Sequence, residues 1–449
     1  MGNIKVTKNP YLLFSPFLLF FMMYAIKFYS NTLIGDEEKY LNYAQNLING
    51  FHSLSNWGLY LWCGPGYPII IMPFVALHLP RICMTLLNAV FIYLSIVFLF
   101  KSLMQFVTFR IAMIFTLFWA FCYNAYEYIS IVYTEPLTII LISLFIFSII
   151  RSFTMNSRNM ELVNKQMQPG YIIPPYSNLL RNNRYIYLSG FILGYIALTK
   201  IIFGYVLLLL FVGSALLWIK NRNRINYRKG ALIMLIAFAT TMPYLVYTWH
   251  ATGKLFYWGY SGGMSLYWMS TPYENEYGDW KHQILSRNWN PADSASDRVK
   301  LFKLHHQKDY DEAAKYNLIG QDSAFKKIAF HYIKEYPKKY LINIKSNVSR
   351  LLFDFPYTFN YQNAGNKVWY FAIIYTLTLF SFIVTLANWK KIEYCVRFLF
   401  IFLFIYLFIS SLVSAYNRQF IVIVPELLFW IAYIMQKSVT IKIKGDATN

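Results

Sequence analysis

The sequence predicts an all-α polytopic membrane protein, and three observations predict it. Hydrophobic residues make up 57% of the 449 and aromatic residues 20%. Charged residues make up only 14%, against roughly 25% in an ordinary soluble domain. Apolar runs of about 18–22 residues recur, the length a helix needs to cross a hydrocarbon core of about 30 Å. The abundant Tyr and Trp suit the two membrane–water interfaces.

Run length and flanking charge place about ten spans. They fall at 11–30, 83–101, 109–126, 132–150, 186–199, 202–219, 230–249, 369–388, 394–413 and 419–436. The first, Tyr11–Ser30, lacks a small-residue cleavage site and is expected to remain as an anchor. Basic clusters set the sidedness: Lys5 and Lys8; Arg151–Arg184; Lys220–Lys229, which reads KNRNRINYRK; Lys390-Lys391; and Lys437, Lys442 and Lys444. With ten spans all of these fall on one side, which the positive-inside rule makes cytoplasmic. The same bias, with anionic lipid contact, accounts for the net charge of +21 and argues against a nucleic-acid partner.

The opposite face receives two long segments. Asn31–Pro80 is expected to be an outer loop with one or two helices lying along the membrane, because Gly64-Pro65-Gly66-Tyr67-Pro68 and Ile69–Leu79 are too short and turn-rich to span. Ala251–Val368 is expected to form one extramembrane domain, mixed or mainly helical. This divides the chain into 1–250, 251–368 and 369–449. Its second half carries two helical patterns broken by Pro337; the second, Lys338–Phe353, is basic and amphipathic. Such a helix lies on a membrane or packs on its own domain with a solvated face.

Acidic residues are scarce, only 20, and 11 of them lie in 251–368 and three in Asp36-Glu37-Glu38. Downstream of that cluster Tyr40, Ala44 and Leu47 share one helical stripe, so Asp36 and Glu37 stand at a helix N-terminus. The plainer role there is a capping carboxylate. Glu135, before Pro136 at a span entrance, fits a helix start in the same way. Lys200 interrupts two apolar runs, Arg418 stands at the entrance of the last span, and Arg81 follows Pro80. Each is an interfacial anchor or an anion ligand.

These segments, taken in order, resemble the GT-C glycosyltransferases, which include the protein O-mannosyltransferases and the lipid A aminoarabinose transferases. Asp36-Glu37-x-x-Tyr40-x-x-x-Ala44-x-x-Leu47-x-x-Gly50 and Gly64-Pro65-Gly66-Tyr67-Pro68 resemble the family's first outer loop. Tyr133-Thr134-Glu135-Pro136-Leu137 is similar to its second acidic site. Gly190-x-x-x-Gly194-x-x-Ala197-Leu198-Thr199-Lys200 is similar to its glycine-rich span, Tyr336-Pro337-x-x-Tyr340-Leu341 to a helical repeat, and Asn417-Arg418-Gln419-Phe420…Pro425 to a late motif. The resemblance implies inverting transfer of a sugar from a polyprenyl-phosphate donor to a hydroxyl of a glycan, lipid or protein at the outer face. It makes Asp36 the general base with Glu37 as alternate. Glu135 and Tyr40 become acceptor-orienting groups, and Lys200, Arg418 and Arg81 donor-phosphate ligands. The Lys/Ile/Asn-rich composition suggests a bacterial inner membrane.

No cofactor is required by these motifs. A divalent metal at Asp36, Glu37 or Glu135 is compatible with them, but no spacing demands one. His305-His306 are adjacent and are not expected to share a metal, and the other histidines stand alone. Cys63, Cys83, Cys122 and Cys395 lack metal spacing. Asn347-Val348-Ser349 fits a glycosylation acceptor, inside a predicted helix. Two other classes handle lipid-linked sugars. A transporter or flippase would show broken helices and midplane polar groups. A polymerase or ligase would leave the first-loop motif unexplained.

Overall fold

The computed structural model describes residues 9–53, 59–166, 177–280, 297–358 and 367–438, and among them every regular element is helical. In chain order the helices are α1 Pro10–Leu13, α2 Ser15–Lys27, α3 Glu37–Ile48, α4 Gly66–Ala76, α5 Ile82–Leu103, α6 Phe109–Ala120 and α7 Tyr123–Tyr126. They continue with α8 Thr134–Gln166, α9 Ser177–Thr199, α10 Ile202–Lys220, α11 Ile225–Thr252, α12 Ser261–Met269, α13 Asp297–Ala314 and α14 Leu318–Glu335. The last five are α15 Pro337–Phe353, α16 Lys367–Ala387, α17 Tyr394–Leu412, α18 Asn417–Ile421 and α19 Val424–Ser438.

Among the described residues five helices are long and apolar enough to cross a membrane: α5, α8 over Thr134–Thr154, α10, α11 and α17. They coincide with five of the ten expected spans. The expected span at 109–126 is not straight: α6 and the piece Tyr123–Ser130 meet at 55°. The turned piece is held from outside, since Asn124 donates to the Asn417 side chain at 3.3 Å. The expected span at 419–436 is likewise interrupted between α18 and α19, where Pro425 stands near the new start, a position that tolerates its missing N–H. The other three expected spans fall on α2, which is 13 residues long, and on α9 and α16.

The core runs between α5, α8, α9, α10, α11, α17 and α19. Gly190 and Gly194 bring α9 against α11: a Cβ on the first would lie 2.6 Å from Ile236 Cβ, and on the second 2.5 Å from the Ala237 carbonyl oxygen. One-turn spacing of small residues permits close backbone approach where side-chain burial offers little drive between helices in lipid. Outward faces carry exposed Leu19, Met23 and Ile26 on α2, Leu216 and Ile219 on α10, and Leu379 and Ile383 on α16. Stripes of that kind suit hydrocarbon as solvent.

At one pole α3 and α4 lie against the bundle over Tyr40, Tyr67, Leu137 and Ile140. The long segment after α11 folds as α12–α15, with Tyr267, Trp268, Phe302 and Phe325 packed together. The amphipathic α15 is not laid on a solvated face alone. Its buried stripe is polar, Asn343, Asn347 and Arg350, at the three-to-four-residue spacing that puts them on one face. Asn347 donates to the carbonyls of Ser410, Ser411 and Val413, and Arg350 to those of Ala415, Tyr277, Pro356 and Gly278. The Asn347 bonds satisfy carbonyls left open where α17 ends, and the Arg350 bonds tie α15 to the stretches at 277–278 and 356. They also exclude Asn347 as a glycosylation acceptor, because its side chain is fully enclosed.

Candidate active site

The pole built by α3, α4 and the ends of α8, α9 and α18 gathers most of the residues singled out above. The chain reaches it through Gly35, whose φ of +61° favours glycine. A Cβ there would fall 2.0 Å from the Tyr133 hydroxyl, so the turn also needs the missing side chain. Asp36 follows at the N-cap of α3, yet its carboxylate makes no capping bond. One oxygen accepts from Lys39 Nζ at 2.8 Å, one turn on, and the other from Arg418 Nη1 at 3.2 Å. Burial by itself would raise the Asp36 pKa. The two cations outweigh it and hold the carboxyl below the usual range.

Glu37, one residue on, turns inward and is almost fully buried. Its Oε1 accepts from the Val132 N–H at 2.8 Å and its Oε2 from the Ile34 N–H at 2.7 Å. Arg81 stands 3.7 Å from the same carboxylate, donates to the Ser30 and Thr32 carbonyls, and lies 5.4 Å from the Tyr29 ring centroid. Glu37 and Arg81 thus tie residues 29–37 to the entrance of α8. In the geometry seen, Arg81 is committed to loop carbonyls and Glu37 to backbone donors.

Glu135 is buried at the first turn of α8 and accepts from Lys200 Nζ at 2.8 Å. Lys200 sits in the turn between α9 and α10, and burial pushes its ammonium below the usual lysine range although Glu135 pulls the other way. The turn is placed by the Gly64–Pro68 segment. Cβ atoms on Gly64 and Gly66 would meet the Leu198 carbonyl at 2.1 Å and Thr199 Oγ1 at 2.5 Å, and Tyr195 donates to the Gly66 carbonyl at 2.7 Å. The charges act on one another: Glu135 and Asp36 on Arg418, and Arg418 and Asp36 on Lys200. Tyr40 is buried among them, edge-on to Tyr67 at 5.3 Å and to Tyr133 at 6.4 Å.

Arg418 itself is carried by the short α18, which is pinned by Asn417 donating to the Leu351 carbonyl at 3.0 Å. Its guanidinium lies 5.8 Å from the Tyr133 ring centroid. The Asp36–Arg418 link therefore joins the first long loop of the chain to its next-to-last described helix. The cluster holds two carboxylates, Asp36 and Glu135, against three cations, Lys39, Lys200 and Arg418. It has one positive charge to spare, and the Arg418 side chain is about a third exposed. That combination favours an anion at the mouth of the cluster.

Sequence reasoning passed over Lys39, although its spacing of three from Asp36 on a helix was a usable signal. It also passed over the aromatic wall beside it. Lys39 Nζ stands 4.9 Å from the Trp62 ring, and Trp62 meets Tyr60, Tyr260 and Trp280 at centroid distances of 6.3, 5.2 and 5.5 Å. A divalent metal at Asp36 would have to displace Lys39 or Arg418, and one at Glu37 the two backbone donors. Among the described residues the convergent His/carboxylate cluster is elsewhere: Glu276 with His305 and His306, which sequence spacing had set apart.

No family model matches the sequence, and no curated protein matches it either. Solved structures do show likeness. ArnT from Cupriavidus metallidurans bound to undecaprenyl phosphate aligns over 95% of this chain and 77% of its own, at 11% identity and a TM-score of 0.38. The archaeal oligosaccharyltransferase AglB from Archaeoglobus fulgidus, in complex with an inhibitory peptide and a dolichol-phosphate, aligns over 94% of this chain at 12% identity and a TM-score of 0.46. The chain spans 50% of the length of AglB.

Proposed function

We propose that this chain is an inverting membrane glycosyltransferase of the GT-C type, taking a sugar from a polyprenyl-phosphate donor at the pole that carries Asp36. The observation that carries the reading is a carboxylate held between two cations, in a cluster with one cation in excess, at the end of an apolar bundle. The order of the motifs along the chain supports it. A polyprenyl tail is too apolar to leave a bilayer cheaply, so its phosphate must be met at the membrane surface.

In this reading the donor phosphate docks on Arg418, whose planar fork suits paired phosphate oxygens, with Lys200 as a second cation. Docking draws Arg418 away from Asp36 and leaves the carboxylate more basic. The acceptor hydroxyl attacks the anomeric carbon from the face opposite the phosphate, and its proton passes to Asp36. The anomeric C–O bond breaks with its electron pair going to the phosphate, where the cations stabilise the charge. A single displacement inverts the anomeric centre.

Glu135 holds Lys200 in place, Tyr40 and Tyr133 shape the pocket behind Asp36, and Glu37 with Arg81 keeps the first loop seated. The wall of Trp62, Tyr60, Tyr260 and Trp280 offers flat apolar faces to sugar C–H surfaces. The charge bias of the loops supports an outward-facing site in a bacterial inner membrane, with 251–368 as an outer domain that helps choose the acceptor.

The test is Asp36→Asn, assayed with radiolabelled polyprenyl-phosphate sugars in membranes containing the protein. Transfer should be lost while insertion and elution as a folded species in detergent are unchanged. Near-normal transfer by that variant would remove Asp36 as the base.

A further inference from the structure

A second polar centre lies among the helices that follow α11, apart from the Asp36 cluster. Glu276 follows α12, and His305 and His306 lie side by side on α13. His305 Nδ1 stands 3.0 Å from Glu276 Oε1, and His306 Nε2 stands 3.0 and 3.1 Å from Oε1 and Oε2. One ligand atom from each residue lies within 4.8 Å of the others. Glu276 and His306 are almost fully enclosed, while the His305 ring is partly open to solvent.

Each ring is fixed from behind. His305 is stacked on Tyr273 at 3.7 Å between centroids, and the Tyr273 hydroxyl donates to the His305 carbonyl at 2.6 Å. The Tyr267 hydroxyl lies 2.7 Å from His306 Nδ1 and donates to Asp309 Oδ2 at 2.8 Å. Asp309 also accepts from Tyr332 at 2.7 Å. Thr271 donates to Glu276 Oε2.

The chain of donors decides the tautomer. An ionised carboxylate only accepts, so the single Tyr267 proton goes to Asp309. The Tyr267 oxygen then accepts from His306 Nδ1–H, which leaves the neutral ring with its lone pair on Nε2, facing a carboxylate. Two acceptors at 3.0 Å require a cation between them. A proton would satisfy that pair, but it gives no reason for a third ligand atom, His305 Nδ1, to converge on the same carboxylate oxygen. A small metal ion does. Ligands about 2.0–2.2 Å from a zinc ion stand roughly 3.3 Å apart at a tetrahedral centre, a few tenths of an ångström wider than the two His–Glu276 distances, and all three ligand atoms lie within 4.8 Å of one another. Imidazole with one carboxylate favours zinc-like metals over magnesium or calcium. A histidine ligand whose other ring N–H is held by a hydrogen-bond acceptor is the usual arrangement around such ions, and here Tyr267 is that acceptor, itself bonded to Asp309.

The geometry points to a divalent transition-metal site of the zinc class at Glu276, His305 and His306, the His305 ring being its partly exposed ligand. Bound there, the ion staples the stretch after α12 to α13, independently of the chemistry at Asp36.

The full-length protein in detergent, stripped with EDTA and re-equilibrated with micromolar zinc, tests this by metal analysis of the gel-filtered peak. About one zinc per chain is expected, with a rise in Tm on zinc addition. His305→Ala, at the partly open ligand, should still fold but retain no zinc and show no rise. Tyr267→Phe should weaken binding by about 10–100-fold as a positioning residue. His331→Ala, an exposed histidine paired with Glu335, should bind as the parent does. Cobalt in place of zinc should give the visible absorption of a low-coordinate nitrogen–oxygen site. A folded parent protein that returns no zinc would overturn the assignment, as would equal zinc retention by His305→Ala.

Discussion

Asp36 and Glu37 are consecutive carboxylates at one helix start, and their surroundings are opposite. Glu37 faces in and is met by two backbone N–H groups, with Arg81 beside it. Asp36 faces the mouth of the cluster, and among the described residues its carboxylate is met by two long side-chain cations, Lys39 and Arg418. Backbone donors cannot leave without unfolding the loop. Side-chain cations can be drawn off by an incoming anion. The difference teaches that charge alone does not mark a working carboxylate; the exchangeability of its partners does.

The largest effect that would break this contrast is on transfer. Asp36→Asn should lower it by about 10²–10⁴-fold, the usual worth of a positioned base, with a smaller fall in Tm than Glu37→Ala gives. Glu37→Ala should do the reverse in kind. It leaves the enclosed Val132 N–H unpaired, at about 1–3 kcal/mol, and removes the partner of the Ile34 N–H, so Tm and yield fall first and activity follows the folded fraction. Circular dichroism melts on both variants separate the two cases. Equal melting behaviour would erase the contrast.

The acid limb sharpens it further. Asp36 has a depressed pKa, so its link to Lys39 and Arg418 is complete above the ordinary carboxylate range and is lost as pH falls through and below it. His52, behind the loop, adds a separate acid-sensitive term. Burial depresses its pKa to about 4, and its ring lies 2.9 Å from the Cys63 carbonyl and 4.5 Å from the Tyr43 ring centroid. The unfolded chain takes up its proton first, so stability should fall between about pH 6.5 and 4 by on the order of 3 kcal/mol. A melt series on His52→Gln should lack that step, while Asp36→Asn should keep it.

Arg81→Lys should have the smallest effect. A lysine keeps the charge near Glu37 but loses the forked contacts to Ser30 and Thr32, at about 1 kcal/mol of stability and little change in transfer rate. A selective loss of donor affinity in Arg81→Lys would return Arg81 to the phosphate site.

Much of this was legible in the sequence because it rests on local spacing. Apolar run length gave α5, α8, α10, α11 and α17, and turn residues marked the Gly64–Pro68 segment. What that segment does was not legible: its glycines exist to fit the end of α9, more than a hundred residues away. The break after α6 carries no proline or glycine, and Asn124 just beyond it meets Asn417, nearly three hundred residues on. The division of labour between Asp36 and Glu37 was hidden for the same reason, since it is decided by Val132 and Arg418. The pairing of His305 and His306 with Glu276 needed the return of the chain after α12. In a helical membrane protein, periodicity gives the elements, and distant partners give the roles.

Whether the Asp36 cluster receives a lipid phosphate can be read from the binding of a polyprenyl phosphate, measured by native mass spectrometry of the detergent-solubilised protein. The parent chain should bind, Arg418→Ala should lose about 10-fold or more, and Asp36→Asn should bind as well or more tightly, because a competing negative charge is removed. Binding that ignores Arg418→Ala, or that disappears in Asp36→Asn, would contradict a phosphate site at this cluster.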